Sequence, residues 1–265
     1  MVTNKNKKPI VLIIAGHDPS GGAGIQADIE SIASAGCHAV TVITSLTAQN
    51  TDKVANISSQ DPNFFRKQIK LIFDDFNVSA CKIGMIGDVE LVDAIHNELS
   101  DIKIPIVLDP IINSGTGENL SPRKTYERIL ALLLPLTTII TPNTLEAKIL
   151  AGTDDLKIAA DKLLSYGTKS VLITGSHEKT DAVLNTFYKK DNLPIEYTWK
   201  RLTGSFHGSG CTLSSRIAAN IALGNGLKNA VEDAQEYTWQ TLKNGLELGK
   251  EQIHPDRFFN IKNDI

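Results

Sequence analysis

The sequence is poor in the features that hold or place a protein by means other than a packed core. It has only 3 cysteines, Cys37, Cys81 and Cys211, widely spaced and without a C-x-x-C pair. That argues against a disulfide framework or a structural zinc site and fits a reducing compartment. The 19 glycines and 10 prolines among 265 residues are too few for a collagen-like or low-complexity chain. Neither sign of charge dominates: 27 basic residues face 30 acidic ones, for a formal charge of −3 at pH 7. No global field attracts nucleic acid or an anionic membrane, so a polyanion is held only by a local site. Long apolar runs are also missing. Ile10–Ala15, after a polar and basic start, falls short of the ~7–15 residues of a signal peptide and the ~20 of a membrane helix. A soluble, cytoplasmic chain is expected, with no nucleic-acid and no membrane partner.

What is present is a core. Hydrophobic residues make up 42% of the chain, which excludes disorder, and a chain this long buries roughly 70–75% of its unfolded surface without staples. Ile10–Ala15 is continuous, β-branched and ends at Gly16, as a buried strand does. Residues 25–35 carry Ile25, Ile29, Ile32 and Ala33 at helical spacing, and Gly36 stops them. The pattern repeats, with strands expected at 39–45, 80–84, 105–109, 138–141 and 170–173. Helices are expected near 62–76, 88–99, 122–134, 144–151 and 156–166. Residues 182–188 and 195–199 read as a hairpin, and two long helices, about 211–223 and 227–248, close the chain. Repeated β-α units imply an α/β three-layer sandwich, a central mostly parallel sheet with helices on both faces. No repeat or linker marks a boundary, so one domain over 1–265 is expected, with an ordered core of about 10–249. The tail past Gly249 is polar apart from Phe258 and Phe259 and reads as a docked end.

Ligands of an open parallel sheet bind beyond the carboxyl ends of its strands, and four loops in that position carry the informative residues. Gly16–Gly24 brings backbone close to a ligand ahead of a helix N-terminus, or is simply a tight strand-to-helix turn. Its match to a dinucleotide fingerprint fails, because no acid for a ribose closes the next strand. Asp28, one turn into the following helix, either binds an amine or favours the dipole. In Thr47–Thr51 the tandem amides Gln49 and Asn50 offer the donor–acceptor pairs a planar heterocycle needs, or form a polar turn. Met85, between Gly84 and Gly87, packs a flat ring or fills core. The strongest is Phe206–Thr212. The backbone of Gly208, Ser209 and Gly210 running into a helix forms an anion hole for charge developing in transfer, or is simply a glycine-rich helix start. No Gly-Lys-Ser/Thr follows, so it is no P-loop. Cys211 at the helix start is expected to have a lowered thiol pKa, fit for a base, or to be an inert small residue.

Asn143 and Glu146 have the spacing of a capping box, or else organise water around Mg²⁺, which favours oxygen ligands. Asp109 is a further acid at a strand's carboxyl end. Thr174-Gly175-Ser176-His177 stands where a nucleotide loop is expected.

In order and spacing these pieces resemble the ribokinase-like superfamily and, within it, the hydroxymethylpyrimidine and phosphomethylpyrimidine kinases of thiamine biosynthesis. The resemblance runs from about Val11 to Gly224. It is carried by Ala15–Asp28, Leu46–Thr51, Lys82–Met85, Thr141–Asn143 with Glu146, and His207–Thr212. It implies an ATP- and Mg²⁺-dependent kinase acting on hydroxymethylpyrimidine phosphate and also on hydroxymethylpyrimidine, and a homodimer. Gln49 would bind the aminopyrimidine, with Gly16, Asp28 and Met85 lining the same pocket. Asn143, Glu146, Thr174 and Gly175 would serve the nucleotide, and Glu146 and Asp109 the metal. Gly208, Ser209, Gly210 and Cys211 would be catalytic. Cys211 holds the position of an Asp base in sugar-kinase relatives. A phosphate oxygen is already ionised at pH 7 whereas an alcohol benefits from a base, so a Cys suits attack by a phosphate better.

Many relatives carry Lys at Thr174, and a Lys-Ser-Gly where Asn113-Ser114-Gly115 stands here. Phosphate-rich transition states need cations. Either Mg²⁺ and the helix dipole suffice, or a residue such as Arg201 substitutes, or one of the two activities is lost. His17 either stacks on the pyrimidine or is exposed. A pyridoxal kinase and a non-catalytic pyrimidine sensor are the competing readings.

Overall fold

The computed structural model describes residues 7–112, 120–178 and 180–261. The elements follow as β1 (Ile10–His17), α1 (Gly24–Ser34), β2 (His38–Gln49), β3 (Val54–Ser59), α2 (Pro62–Asp75), β4 (Val78–Ile83), α3 (Val89–Leu99), β5 (Ile106–Leu108) and α4 (Arg123–Leu132). After a 3-10 turn at Leu134–Leu136 come β6 (Ile139–Ile140), α5 (Thr144–Ala151), α6 (Leu156–Ser165), β7 (Ser170–Ile173), β8 (Ala182–Lys189), β9 (Ile195–Lys200), α7 (Ser209–Ala222) and α8 (Leu227–Lys243).

They build one sheet in the order β3-β2-β1-β4-β5-β6-β7-β8-β9. Pairings from β2 through β7 are parallel, whereas β3, β8 and β9 are antiparallel additions at the edges. The continuous apolar run of β1 has a simple cause: both of its faces are covered. Leu12 and Ile14 enter one core with Phe65 and Ile69 of α2, Leu91 and Ile95 of α3, and Leu163 of α6. Val11, Ile13 and Ala15 enter the other with Ile32 of α1, Ile217 of α7 and Val231 of α8. The order reverses on either side of β1, and such a switch point opens a crevice at the strands' carboxyl ends.

The three-layer α/β architecture expected from the sequence is the one observed. Ser170–Ile173 and residues 144–151 coincide with their elements, and most other boundaries move by one or two positions. Two expectations fail. Thr47–Gln49 is strand, not loop, because β3 supplies an antiparallel partner in which Thr47 faces Ile57 and Ala48 faces Asn56. The last helix ends at Lys243, not 248. There the chain folds back, Leu246 pairing with His254 and Phe206 with Ile253. The tail is docked as expected, but by Gln252, His254 and Arg257, all buried.

Phe65 is fully buried in the core that Leu12 and Ile14 of β1 also enter. Phe65→Ala is expected to cost about 3–5 kcal/mol, read as a lower urea midpoint at unchanged slope. A loss below about 1 kcal/mol would show that α2 is not clamped to this core.

Candidate active site

The connections at the carboxyl ends of β1, β4, β5, β6 and β7 line one cavity of about 700 Å³. Asp18 folds the first of them. Its Oδ1 accepts from Ser20 N (2.9 Å) and Ser20 Oγ (2.8 Å), and its Oδ2 accepts from Ala23 N (2.9 Å) and lies 2.7 Å from His207 Nε2. Burial works against the charged form, but the hydrogen bonds from His207 and Ser20 hold this carboxyl well below the usual range. Gly24 at φ +60° lets the turn enter α1 with its Cα packed against the Gly16 carbonyl.

Gly16, Gln49 and Met85 line the cavity together, as does His17. A Cβ on Gly16 would stand 2.6 Å from Met85 Cε, so the glycine is what admits the thioether. Asp28 does not join them. It is fully buried, outside the lining, and its oxygens accept from Lys82 Nζ at 2.8 and 2.9 Å and from Ser215 Oγ at 2.7 Å. Its one turn of helix points it at the sheet rather than at the loop end. The residue that does reach the cavity floor is Lys82. Burial alone would strip its proton, yet Asp28, with Cys211 and Asp109 nearby, raises its pKa above the ordinary lysine value, so the charge stays.

The start of α7 forms the next wall. Gly208 adopts φ +75° as the N-cap, and no side chain caps the helix. A side chain at 208 would collide with the Gly22 carbonyl, so two glycine-rich segments meet backbone to backbone. Gly208, Ser209, Gly210 and Cys211 all line the cavity, and the first-turn N–H groups are suited to an anion. The expected low thiol pKa is overturned. Burial pushes Cys211 up to about 12, because desolvation, with Asp28 and Asp109 adding, outweighs the attraction of Lys82 and the hydrogen bond from the Gly24 backbone.

Opposite stand two carboxyls. Ser214 Oγ donates to Asp109 Oδ2 at 3.1 Å. The capping box of α5 is present: Glu146 N donates to Asn143 Oδ1 and Asn143 N donates to Glu146 Oε2, each at 2.9 Å. Glu146 Oε1 also accepts from Ile112 N at 3.3 Å. Burial and the neighbouring Asp109 raise Glu146 to about 8. Burial, with Asp28 adding and Lys82 opposing, raises Asp109 to about 6. Two facing carboxyls of raised pKa fit a divalent cation that keeps most of its waters. Among the described residues no group of three or more His, Cys, Asp or Glu side chains forms a metal cage.

Thr174, Ser176 and His177 line the far end, but Gly175 does not. Its Cα is pressed on the Leu184 carbonyl, and its N–H donates to Asn185 Oδ1 at 3.0 Å, which makes it a packing glycine against β8. Arg201 lines this end too, with its guanidinium donating to the carbonyls of Ser176, Glu178 and Thr180. It organises that turn rather than standing free as a substitute lysine. Asn113-Ser114-Gly115 lies outside the described residues.

Asp18, His207 and Lys82 have no role in the reading of the sequence. A signal for one of them existed, since a lysine inside the apolar run Cys81–Ile83 has to be paired.

An uncapped helix start, a charged lysine and two cation-ready carboxyls around a ring-sized recess are the equipment of a small-molecule phosphotransferase. The sequence profile described as phosphomethylpyrimidine kinase matches residues 18–256, and the chain belongs to that family. It is 36% identical over 248 residues to a hydroxymethylpyrimidine/phosphomethylpyrimidine kinase of Aquifex aeolicus, covering 91% of this chain and 97% of the other. Among solved structures, the phosphomethylpyrimidine kinase of Clostridium difficile is similar at TM-score 0.77 and 33% identity, over 89% of this chain and 100% of that one. The pyridoxal kinase of Staphylococcus aureus in complex with pyridoxal is similar at TM-score 0.87 and 26% identity, over 97% and 96%.

Removing one partner of a buried ion pair costs about 3–5 kcal/mol, whereas replacing both by apolar groups is often neutral. Asp28→Asn is therefore expected to lower stability by several times more than the double variant Asp28→Leu/Lys82→Met. Equal losses in urea titrations would mean that Lys82 does not depend on Asp28.

Proposed function

We propose that this protein is a kinase of thiamine biosynthesis. It transfers the terminal phosphoryl group of ATP to the phosphate of 4-amino-5-hydroxymethyl-2-methylpyrimidine phosphate, giving the diphosphate, and acts more slowly on the free hydroxymethylpyrimidine. Family membership supports the reaction class. A relative from Arabidopsis, 34% identical over 97% of this chain, is named a thiamine biosynthetic bifunctional enzyme. Solved pyridoxal kinases similar in fold, from S. aureus and Bacillus subtilis, carry AMP-PCP or ADP.

The observation that favours the phosphorylated substrate is the Cys211 thiol, pushed up to about 12 beside the anion-accepting turn. Such a thiol takes no proton from an alcohol at neutral pH, while a phosphate oxygen needs none taken. The substrate oxygen forms its bond to the γ-phosphorus as the bond to ADP breaks. The N–H groups of Ser209, Gly210 and Cys211 receive the charge on the transferring group. Gln49 holds the ring, and Met85 packs on its face. Mg²⁺, when bound, neutralises the phosphate oxygens; Asp109 and Glu146 would hold it through its waters.

Pyridoxal is the alternative substrate, because a pyridoxal kinase holding that vitamer superposes over nearly the whole chain. Purified protein with ATP and Mg²⁺ is expected to form pyrophosphate-linked product from the pyrimidine monophosphate, seen by phosphorus NMR, faster than it phosphorylates the free alcohol or pyridoxal. Cys211→Ser is expected to keep the rate on the monophosphate within about tenfold, since removal of a true base costs 10²–10⁴. No turnover of any of the three substrates would defeat the kinase reading.

Metal ligands have to be deprotonated. As pH falls from 8 towards 6, first Glu146 and then Asp109 takes up its proton, so the Mg²⁺ concentration needed for half-maximal rate is expected to rise. Because both folded-state values are raised, the same groups favour the fold at low pH, and that contribution is lost as pH climbs through about 6 and then about 8. Glu146→Gln keeps a capping box, which accepts either residue. It should leave stability within about 1 kcal/mol while raising the Mg²⁺ requirement. An unchanged Mg²⁺ titration would remove Glu146 from the metal site.

A further inference from the structure

Asp18 and His207 stand apart from the reacting groups, yet both act on the amide of Gln49. Asp18 is a saturated acceptor, receiving Ser20 N, Ser20 Oγ and Ala23 N, and has no proton to give. His207 Nε2 lies 2.7 Å from Asp18 Oδ2 and 3.1 Å from the Gln49 amide atom placed as Nε2, with the atom placed as Oε1 toward Thr47. A ring nitrogen carries a hydrogen or a lone pair, not both. Beside a carboxylate it has to carry the hydrogen, since two lone pairs would otherwise face each other. An N–H cannot accept from an amide NH2, and its one hydrogen can be shared only between two acceptors, so Gln49 has to turn its carbonyl to His207, the reverse of its placed orientation. Thr47 accommodates the same order. Its one hydroxyl hydrogen goes to the His17 carbonyl at 2.9 Å, leaving only a lone pair 3.2 Å from the other end of the amide, where the NH2 belongs.

We propose that Asp18 and His207, together with Thr47, fix the polarity of the Gln49 amide, carbonyl toward His207 and NH2 toward Thr47, and so set the donor–acceptor order that the cavity presents to a planar ring. They are positioning residues for substrate discrimination. The inference rests on the reading that a heterocycle binds at Gln49. A ring whose amino group and ring nitrogen match that order is held by both amide atoms, whereas the reverse order meets donor with donor. The imidazole is well locked for this task. Its backbone N–H donates to the Ile253 carbonyl at 2.9 Å, its edge packs on Gly22, where a Cβ would collide with it, and the His254 ring stands edge-on at 5.9 Å.

The test measures kcat and KM on the pyrimidine monophosphate and on pyridoxal for wild type, His207→Leu, His207→Gln and Asp18→Asn, and for Gln49→Ala with and without His207→Leu. His207→Leu is expected to lower the ratio of the two kcat/KM values by about tenfold or more, through KM on the pyrimidine. His207→Gln, whose amide nitrogen still donates to Asp18, should keep most of the discrimination. Asp18→Asn, close in shape, should lose it and serves if His207→Leu folds poorly. With Gln49 already Ala, His207→Leu should not move the ratio further. Equal losses on both substrates, or an effect of His207→Leu that persists without Gln49, would overturn the proposal. A wild type that prefers pyridoxal defeats the pyrimidine reading separately. A ratio that then moves toward one in His207→Leu still upholds the positioning role, and an unmoved ratio overturns it.

Discussion

The site exists because two glycine-rich segments touch without side chains between them. Gly208 lies against the Gly22 carbonyl, and any Cβ there would push the start of α7 away from the turn that follows β1. From that contact follow the placement of the α7 N–H groups at the cavity wall, the reach of His207 to Asp18, and the burial of Cys211. Arg257 reinforces it, donating to the same Gly22 carbonyl at 2.6 Å and to Thr212 Oγ1 at 3.0 Å. A guanidinium can satisfy several acceptors in one plane, so a single tail residue ties both segments.

Charge at the cavity floor is satisfied on the ammonium side and unrelieved on the carboxyl side. Lys82, fully buried at the edge of the cavity, is neutralised by Asp28 at 2.8 Å. Asp109 is raised toward neutrality by burial and Asp28 against the pull of Lys82, and Glu146 by burial and Asp109. The dry floor therefore carries its net cost on the carboxyl side, where an incoming cation relieves it, and not on the ammonium side. That asymmetry distinguishes a site awaiting a phosphate–metal pair from one that is merely polar.

The α/β sandwich was legible in the sequence because a strand covered on both faces is written as an uninterrupted apolar run, and Ile10–Ala15 and Ser170–Ile173 are such runs. β3 was not, since its Ala55 and Asn56 are exposed and its pattern carries no buried face. Gly16, Gln49, Met85 and Gly208–Cys211 were legible as cavity residues from their place after strands. Asp28 and Gly175 were not, since sequence proximity to a loop says nothing of which way a helical side chain points or which glycine is packed on a neighbouring strand. The Cys211 thiol shows a similar limit: position at a helix start predicts a lowered pKa, and burial, visible only in three dimensions, outweighs it.

The docked tail ties completion of the cavity to a segment more than 230 positions beyond the loop it clamps. Arg257 meets Gly22 across 235 positions, and His254 meets Ser20 across 234. A chain still on the ribosome can build the sheet from β1 through β9, yet the turn after β1 lacks its clamp until residues 253–257 have emerged. The loop at Ser20–Gly22 and the segment at His254–Arg257 are parts of one wall, although almost the whole sheet is made between them. Long-range closure of this kind also falls late in folding, after the local β-α units have formed.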